Sequence, residues 1–349
     1  MLKKKYLIIF LIIAVFSAVL AGCGNKEEDL PESEDSAFLM DTLVQMRAYG
    51  ENSEIAVEES LERVKEIEAL MSKTIESSDV YQLNNNPETE VEIDRETINV
   101  LEKSLEYAEL TEGDFDPTIG ALVELWGIGS DDAAVPDNSE IEEALANTGH
   151  NYLKLDDDSA EVSKEGVKID LGGIAKGYAA EEVKKVVQKH DIEHAFVNLG
   201  GNVLVIGDKV DGSPWKIGIQ DPREGKGDVM AVVDAVDLTI VTSGNYERFF
   251  EEDGKLYHHI LDPQTGFPAD NELISVSIIS ENSFDADALS TAVYVMGLNK
   301  GMEFIENLDD VEAMFITEQL DVYLSSGLKD IVEINNSDFN LIEGENTAD

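Results

Sequence analysis

Two adjacent glycines, Gly172 and Gly173, separate a β-type run from a helical pattern, and no other feature constrains this chain as tightly. The run Val167–Leu171 alternates apolar and polar residues and enters Asp170-Leu171-Gly172-Gly173-Ile174-Ala175-Lys176-Gly177. Helical spacing then predicts a helix over 174–187, with Lys176 in its first turn. Adjacent glycines let backbone approach a ligand closely. A helix N-terminus offers unpaired N–H groups and partial positive charge, which suit phosphate, and a lysine adds a point charge. The spacing is not that of a Walker A loop, because the lysine precedes Gly177 and no Ser or Thr follows. A three-glycine dinucleotide fingerprint is absent as well. Two readings stay open on these residues: an anion cradle, or a tight strand-to-helix turn with an exposed lysine.

Before this junction the pattern is mainly helical. Val57, Leu61, Val64, Ile67 and Met71 predict an amphipathic helix over 54–73, and Ile98, Leu101, Leu105 and Leu110 predict another over 95–111. After it, short β-type runs at 195–199, 203–206, 216–220, 230–236, 238–241, 257–261 and 273–279 alternate with glycine and Asp/Pro turns. A further helix is expected over 285–296. Helices first and strands later predict an α+β fold, with mixed, largely antiparallel sheets and packed helices.

The N-terminus reads as an export signal. Lys3-Lys4-Lys5 precede an apolar run from Tyr6 to Leu20, which ends in Leu20-Ala21-Gly22-Cys23. Residues 1–22 are expected to be removed, leaving Cys23 as a lipidated N-terminus; the alternative is an uncleaved anchor helix. Cys23 is the only cysteine, so disulfides and thiolate chemistry are excluded for the mature domain. Residues 23–36 read as an acidic tether, 37–334 as the folded domain, and 335–349 as an acidic disordered tail. The formal charge of −49 becomes −52 without the three signal lysines, which argues against nucleic acid as a partner. An anionic ligand must overcome that field, which favours a bound cation.

Three further segments carry candidate chemistry. Asp116 and Thr118, in Gly113-Asp114-Phe115-Asp116-Pro117-Thr118-Ile119-Gly120, either face a ligand or make local turn hydrogen bonds. In Ala286-Asp287-Ala288-Leu289-Ser290-Thr291-Ala292, helical spacing puts Asp287, Ser290 and Thr291 on one face. That face is either an oxygen-rich site for a hard cation such as magnesium, or a helix start with Asp287 as cap. Thr242-Ser243-Gly244 follows a strand, and His258-His259 lies in the next one. Adjacent strand residues face opposite sides, so only one of the two histidines can enter a given site.

The order of these segments resembles the ApbE family of flavin transferases (FAD:protein FMN transferases). The resemblance rests on Met40-Asp41-Thr42, the Phe115–Gly120 and Asp170–Gly177 segments, Asn198-Leu199-Gly200-Gly201-Asn202, Thr242-Ser243-Gly244, His259-Ile260-Leu261-Asp262-Pro263 and Ala286–Ala292. It spans roughly Phe38 to Ile331. It implies transfer of FMN from FAD to a threonine hydroxyl of a partner flavoprotein, with magnesium bound and AMP released. It also implies partners carrying FMN-binding domains of membrane or extracellular electron-transfer systems, and a lipid-anchored enzyme on the extracytoplasmic face of the cell membrane. By the same resemblance, Met40, Tyr81, Asp116, Thr118, Asp170, Lys176, Ser243, Gly244 and Ile260 contact FAD. Gly173, Asp287, Ser290 and Thr291 hold the metal, and His259 is the candidate base beside the catalytic Asp287. One departure stands out: the family has Met-Gly-Thr where this chain has Met40-Asp41-Thr42. Two other activities fit the same residues, an FAD pyrophosphatase giving FMN and AMP, and an FAD-binding lipoprotein without turnover.

Overall fold

The structure, a computed structural model, describes residues 30–223 and 228–342. The expected signal at 1–22 and the acylated Cys23 lie outside the described residues. The chain opens with a hairpin of β1 (Glu32–Leu39) and β2 (Thr42–Tyr49). Then come α1 (Ser53–Met71), α2 (Asp79–Asn85), β3 (Val91–Glu92), α3 (Arg95–Leu110), α4 (Gly120–Trp126) and α5 (Asn138–Ala146). β4 (Leu153–Leu155) and β5 (Ser159–Val162) lead to α6 (Ala175–Lys189). The strand-rich half holds β6 (His194–Leu199), β7 (Asn202–Ile206), β8 (Trp215–Gln220), β9 (Val229–Ala235), β10 (Thr239–Gly244), β11 (Phe249–Glu252), β12 (Lys255–His258) and β13 (Leu273–Ser280). The chain closes with α7 (Ser283–Glu306), β14 (Val311–Thr317), β15 (Asp321–Leu324), β16 (Val332–Ile334) and β17 (Asn340–Leu341).

A nine-stranded sheet in the order β1-β2-β6-β7-β10-β13-β14-β15-β17 is the backbone of the fold. Every neighbouring pair is antiparallel except β15 with β17, as the sequence predicts for an α+β chain. Period-2 alternation gives the sheet two buried faces. In β14, Ala313 and Phe315 join the core under the helices, while Met314 and Ile316 join a second core under the small β16-β9-β8 sheet. Helices α1, α6 and α7 cover the first face. A third cluster around Trp126 and Leu122 packs α4 and α5 against Leu261.

Three expectations need correction. The tether reading of 23–36 fails from Glu32 onward, because those residues pair along β2 as the sheet's edge strand. Its acids stay at the surface, and Arg47 of β2 bridges Glu32 and Glu34. The tail reading of 335–349 fails up to Ile342. Phe339 is buried, Asn335 and Asn336 donate to the Met230 carbonyl, and β17 pairs with β15. The run Val167–Leu171 is extended but forms only an isolated bridge, Lys168 with Ile119. A side chain replaces the ladder there: Asn84 accepts from Ile169 N–H at 2.6 Å and donates to its carbonyl at 2.9 Å.

The helix expected at 285–296 is the first segment of α7, which kinks at Gly297 (φ 76°). Where α6 meets α7, Gly177 is the contact. A Cβ on Gly177 would sit 2.7 Å from Asp287 Cβ and would strike the Ser283 carbonyl. Gly177→Ala is therefore expected to destabilise the fold by about 1–3 kcal/mol, read as a lower denaturation midpoint at unchanged m-value.

Candidate active site

The glycine turn is built from its own backbone and one aspartate. Asp170 Oδ1 accepts from Gly172 N–H at 2.8 Å, and Ile174 and Ala175 N–H both return to the Leu171 carbonyl. α6 starts at once, so Lys176 leaves its first turn and donates to the Gly172 carbonyl at 3.0 Å. The Asp170 carboxylate is also paired with Lys73, whose Nζ lies 2.6 Å from Oδ2.

The Asp287 face meets this turn from α7. Asp287 is 3% exposed, and its Oδ2 accepts from Gly177 N–H at 2.8 Å. Gly177 is the third residue of α6, so Asp287 satisfies a first-turn amide of a neighbouring helix. The capping alternative thus holds in a changed form. α7 itself is capped by Asn282, which accepts from Phe284 and Asp285 N–H. Lys176 Nζ stands 3.5 Å from Asp287 Oδ1. Thr291 lies beside the turn, its Oγ1 3.2 Å from where a Gly173 Cβ would sit. Ser290 Oγ donates to the Asp287 carbonyl at 2.9 Å and meets Ser243 Oγ of β10 at 2.8 Å. The structure therefore brings Gly173, Lys176, Asp287, Ser290, Thr291 and Ser243 to one place.

This donor set fits a hard divalent cation. It offers one carboxylate and three hydroxyls, of Ser243, Ser290 and Thr291, with no thiolate or imidazole among the residues that meet here. Among the described residues no group of three or more His, Cys, Asp or Glu side chains is placed to hold a metal, so any metal here relies on such neutral oxygens.

Other expected residues sit on the β1–β2 turn, on α2, at the end of β10 and just after β12. Met40 and Asp41 both have positive φ, 52° and 58°, and make the two-residue turn of the β1–β2 hairpin. The family glycine falls at Asp41, a left-handed position that aspartate tolerates at some cost. Asp41 is exposed, and its carbonyl accepts from Arg248 at 3.2 Å. Gly200, of the Asn198–Asn202 segment, is closed over by Thr42, which fixes one hairpin against the next. Tyr81 is half-buried on α2, the short helix whose Asn84 clamps Ile169. Ile260 is buried, and Gly244 lies against the Tyr246 ring.

Asp116 and Thr118 take the turn-forming alternative. Thr118 N–H and hydroxyl both donate to Asp116 Oδ1, and His150 N–H donates to Oδ2 at 2.8 Å. Thr118 Oγ1 in turn accepts from Gly149 N–H. Both residues are buried, and their side chains shape this loop from within.

Of the two histidines, His258 turns inward. Its Nε2 is 3.0 Å from the Ala269 carbonyl, and its ring meets Tyr294 edge-on. His259 is half-buried, with Nδ1 3.3 Å from the Arg248 carbonyl. A carbonyl only accepts, so Nδ1 carries the proton and Nε2 keeps its lone pair. Burial lowers the His259 pKa to about 4, helped by the positive fields of Arg248, His258 and Lys176. Asp262 does not orient it: Asp262 accepts from Gln264 N–H and the Thr265 hydroxyl within its own turn. Sequence reasoning missed Lys73, Asn84 and Arg248. Each acts on a residue far away in the chain, and none sits in a recognisable motif.

A glycine turn carrying a lysine thus faces a carboxylate–hydroxyl helix face, an arrangement of opposite charges and neutral oxygens in one place. The chain belongs to the ApbE family, whose model matches residues 40–315. It is 36% identical to an FAD:protein FMN transferase of Treponema pallidum (strain Nichols), covering 94% of this chain and 96% of that protein. Among solved structures it is similar to the ApbE protein of Thermotoga maritima, with TM-score 0.81 and 39% identity over 86% of this chain and 99% of that one. The flavin transferase ApbE of Vibrio cholerae superposes with TM-score 0.79 at 28% identity, again over 86% and 99%.

Proposed function

We propose that this chain is a magnesium-dependent FAD:protein FMN transferase that moves FMN from FAD to a threonine hydroxyl of an acceptor flavoprotein. The hydroxyl oxygen attacks the phosphorus on the FMN side of the pyrophosphate. A new O–P bond forms, the P–O bond to AMP breaks, and AMP leaves with the bridging oxygen. The observation that carries this reading is the meeting of the glycine–lysine turn with Asp287 and Thr291, a wall of donors against a cation face. The relatives' shared name supplies the flavin.

Each residue has a defined task. Lys176 draws the pyrophosphate to one place in a strongly acidic chain. Gly173, Asp287, Ser290 and Thr291 would hold the magnesium, with oxygen from main chain and side chain. When bound, that ion supplies charge neutralisation across the pyrophosphate and stabilises the departing oxygen of AMP. His259 Nε2 takes the hydroxyl proton. Met40, Tyr81 and Ile260 line the flavin end. The enzyme is held to the extracytoplasmic face of the membrane through acylated Cys23, and its acceptors carry FMN-binding domains.

The test is incubation with FAD, magnesium and an acceptor FMN-binding domain, read by intact-protein mass spectrometry. The acceptor is expected to gain one FMN on a threonine, with stoichiometric AMP. Free FMN and AMP without labelling would make the chain a pyrophosphatase, and bound FAD without turnover would make it a carrier. The anchor is tested separately: Cys23→Ser is expected to move the protein from the membrane to the soluble fraction.

A further inference from the structure

Lys73 stands 97 residues before Asp170 in sequence and reaches it in space, Nζ to Oδ2 at 2.6 Å. The pair is not a loose surface contact. The Asp170 side chain is 13% exposed and that of Lys73 34%. The lysine's backbone is held as well, because Lys73 follows the last residues of α1 in a turn organised by Ser72. Ser72 Oγ accepts from Thr74 and Ile75 N–H, and the Ser72 carbonyl accepts from the Ser78 hydroxyl that also caps α2. The ammonium is thus delivered from a fixed base. The two Asp170 oxygens then divide their work: Oδ2 takes Lys73, and Oδ1 takes Gly172 N–H at 2.8 Å.

We infer that Lys73 is a positioning residue for FMN transfer: it holds the Asp170 carboxylate, which holds the Gly172 amide and so fixes the glycine turn. This rests on the transferase reading above. The turn must be rigid because it places the Gly173 backbone beside Thr291 and starts the helix that carries Lys176. Without Lys73 the carboxylate loses its only charged partner among the described residues and is free to rotate toward solvent. The Gly172 amide then loses its acceptor for part of the time, and the reacting groups drift from alignment. Misplacement on the ångström scale is enough to slow a reaction that depends on positioning.

The test compares Lys73→Met, Lys73→Arg, Asp170→Asn and the double variant Lys73→Met/Asp170→Asn in the full enzyme. Lys73→Met is expected to lower kcat by roughly 10- to 100-fold. It should change KM for FAD far less and speed hydrogen exchange at the Gly172 amide, whereas Lys73→Arg should restore both. The double variant should be no slower than Asp170→Asn alone, because residues acting in series are not additive. A Lys73→Met enzyme with wild-type kcat and wild-type exchange at Gly172 overturns the inference. So do losses from the two single variants that multiply in the double. If the wild-type enzyme labels no acceptor, the transferase reading is what fails. The exchange rate at Gly172 then still decides whether Lys73 orders the turn.

Discussion

Asp287→Ala is expected to abolish metal-dependent turnover. Asp287 is the carboxylate that α7 presents where it meets the glycine turn, and its neighbours Ser290 and Thr291 offer neutral oxygens. Without it, α7 offers a divalent cation no charged ligand, and only the pyrophosphate of FAD is left to hold the ion. Loss of partners outside the first coordination sphere already costs about 10- to 100-fold in metal affinity or activity, so losing a ligand should exceed that. The variant carries a second fault. Gly177 N–H loses its acceptor in a buried place, which costs about 1–3 kcal/mol of stability. Asp287→Asn separates the two effects. Its amide oxygen can still accept from Gly177 N–H, so the fold should be spared, while the charge that attracts magnesium is gone. The expected pair of results is therefore two inactive enzymes, of which only the alanine variant melts early. Calorimetric titration of magnesium gives the direct reading, with affinity falling in both. Full activity of Asp287→Ala at the wild-type magnesium concentration would remove the metal from this face.

Much of the fold was readable because its long elements bury one face. Val57, Val64, Ile67 and Met71 are all buried on α1, and their period is helical. β13 is buried along almost its whole length, with Leu273, Val276, Ile278 and Ile279 inside, as a sandwiched strand must be. β1 was not readable for the opposite reason. An edge strand with solvent on its outer side can be written in Glu, Ser and Asp, which is also how a tether is written. Its pairing is recorded in the backbone and in Arg47, on the following strand. The site was legible in parts and not as a whole. Helical spacing put Asp287, Ser290 and Thr291 on one face, but nothing in that spacing said that Asp287 caps α6. Asp116 and Thr118 carry the right chemistry for a ligand and use it on each other. Lys73 was invisible because an ion pair across 97 positions leaves no local pattern.

Replacing His259 by alanine is expected to slow transfer about 10²- to 10⁴-fold, the usual contribution of a positioned general base. FAD affinity should stay within about twofold, as for substitutions that remove no major contact. The ring is oriented by the Arg248 carbonyl at Nδ1, which leaves Nε2 to take the hydroxyl proton. Its pKa sets the pH dependence. With the value held down to about 4 by burial and by nearby cations, the ring is neutral and competent well below neutral pH. The rate should therefore rise as pH increases through about 4 and show no step near 6.5, where an unperturbed histidine titrates. Stability follows the same group with a definite sign. The unfolded chain takes up this proton near 6.5 and the folded chain only near 4, so falling pH between them favours unfolding. His259→Ala should lose both dependences together, read from kcat/KM against pH and from denaturation midpoints over the same range. If the variant transfers FMN at close to the wild-type rate, solvent takes the proton. The loosely bonded phosphoryl group then needs positioning and charge from this site, and no base.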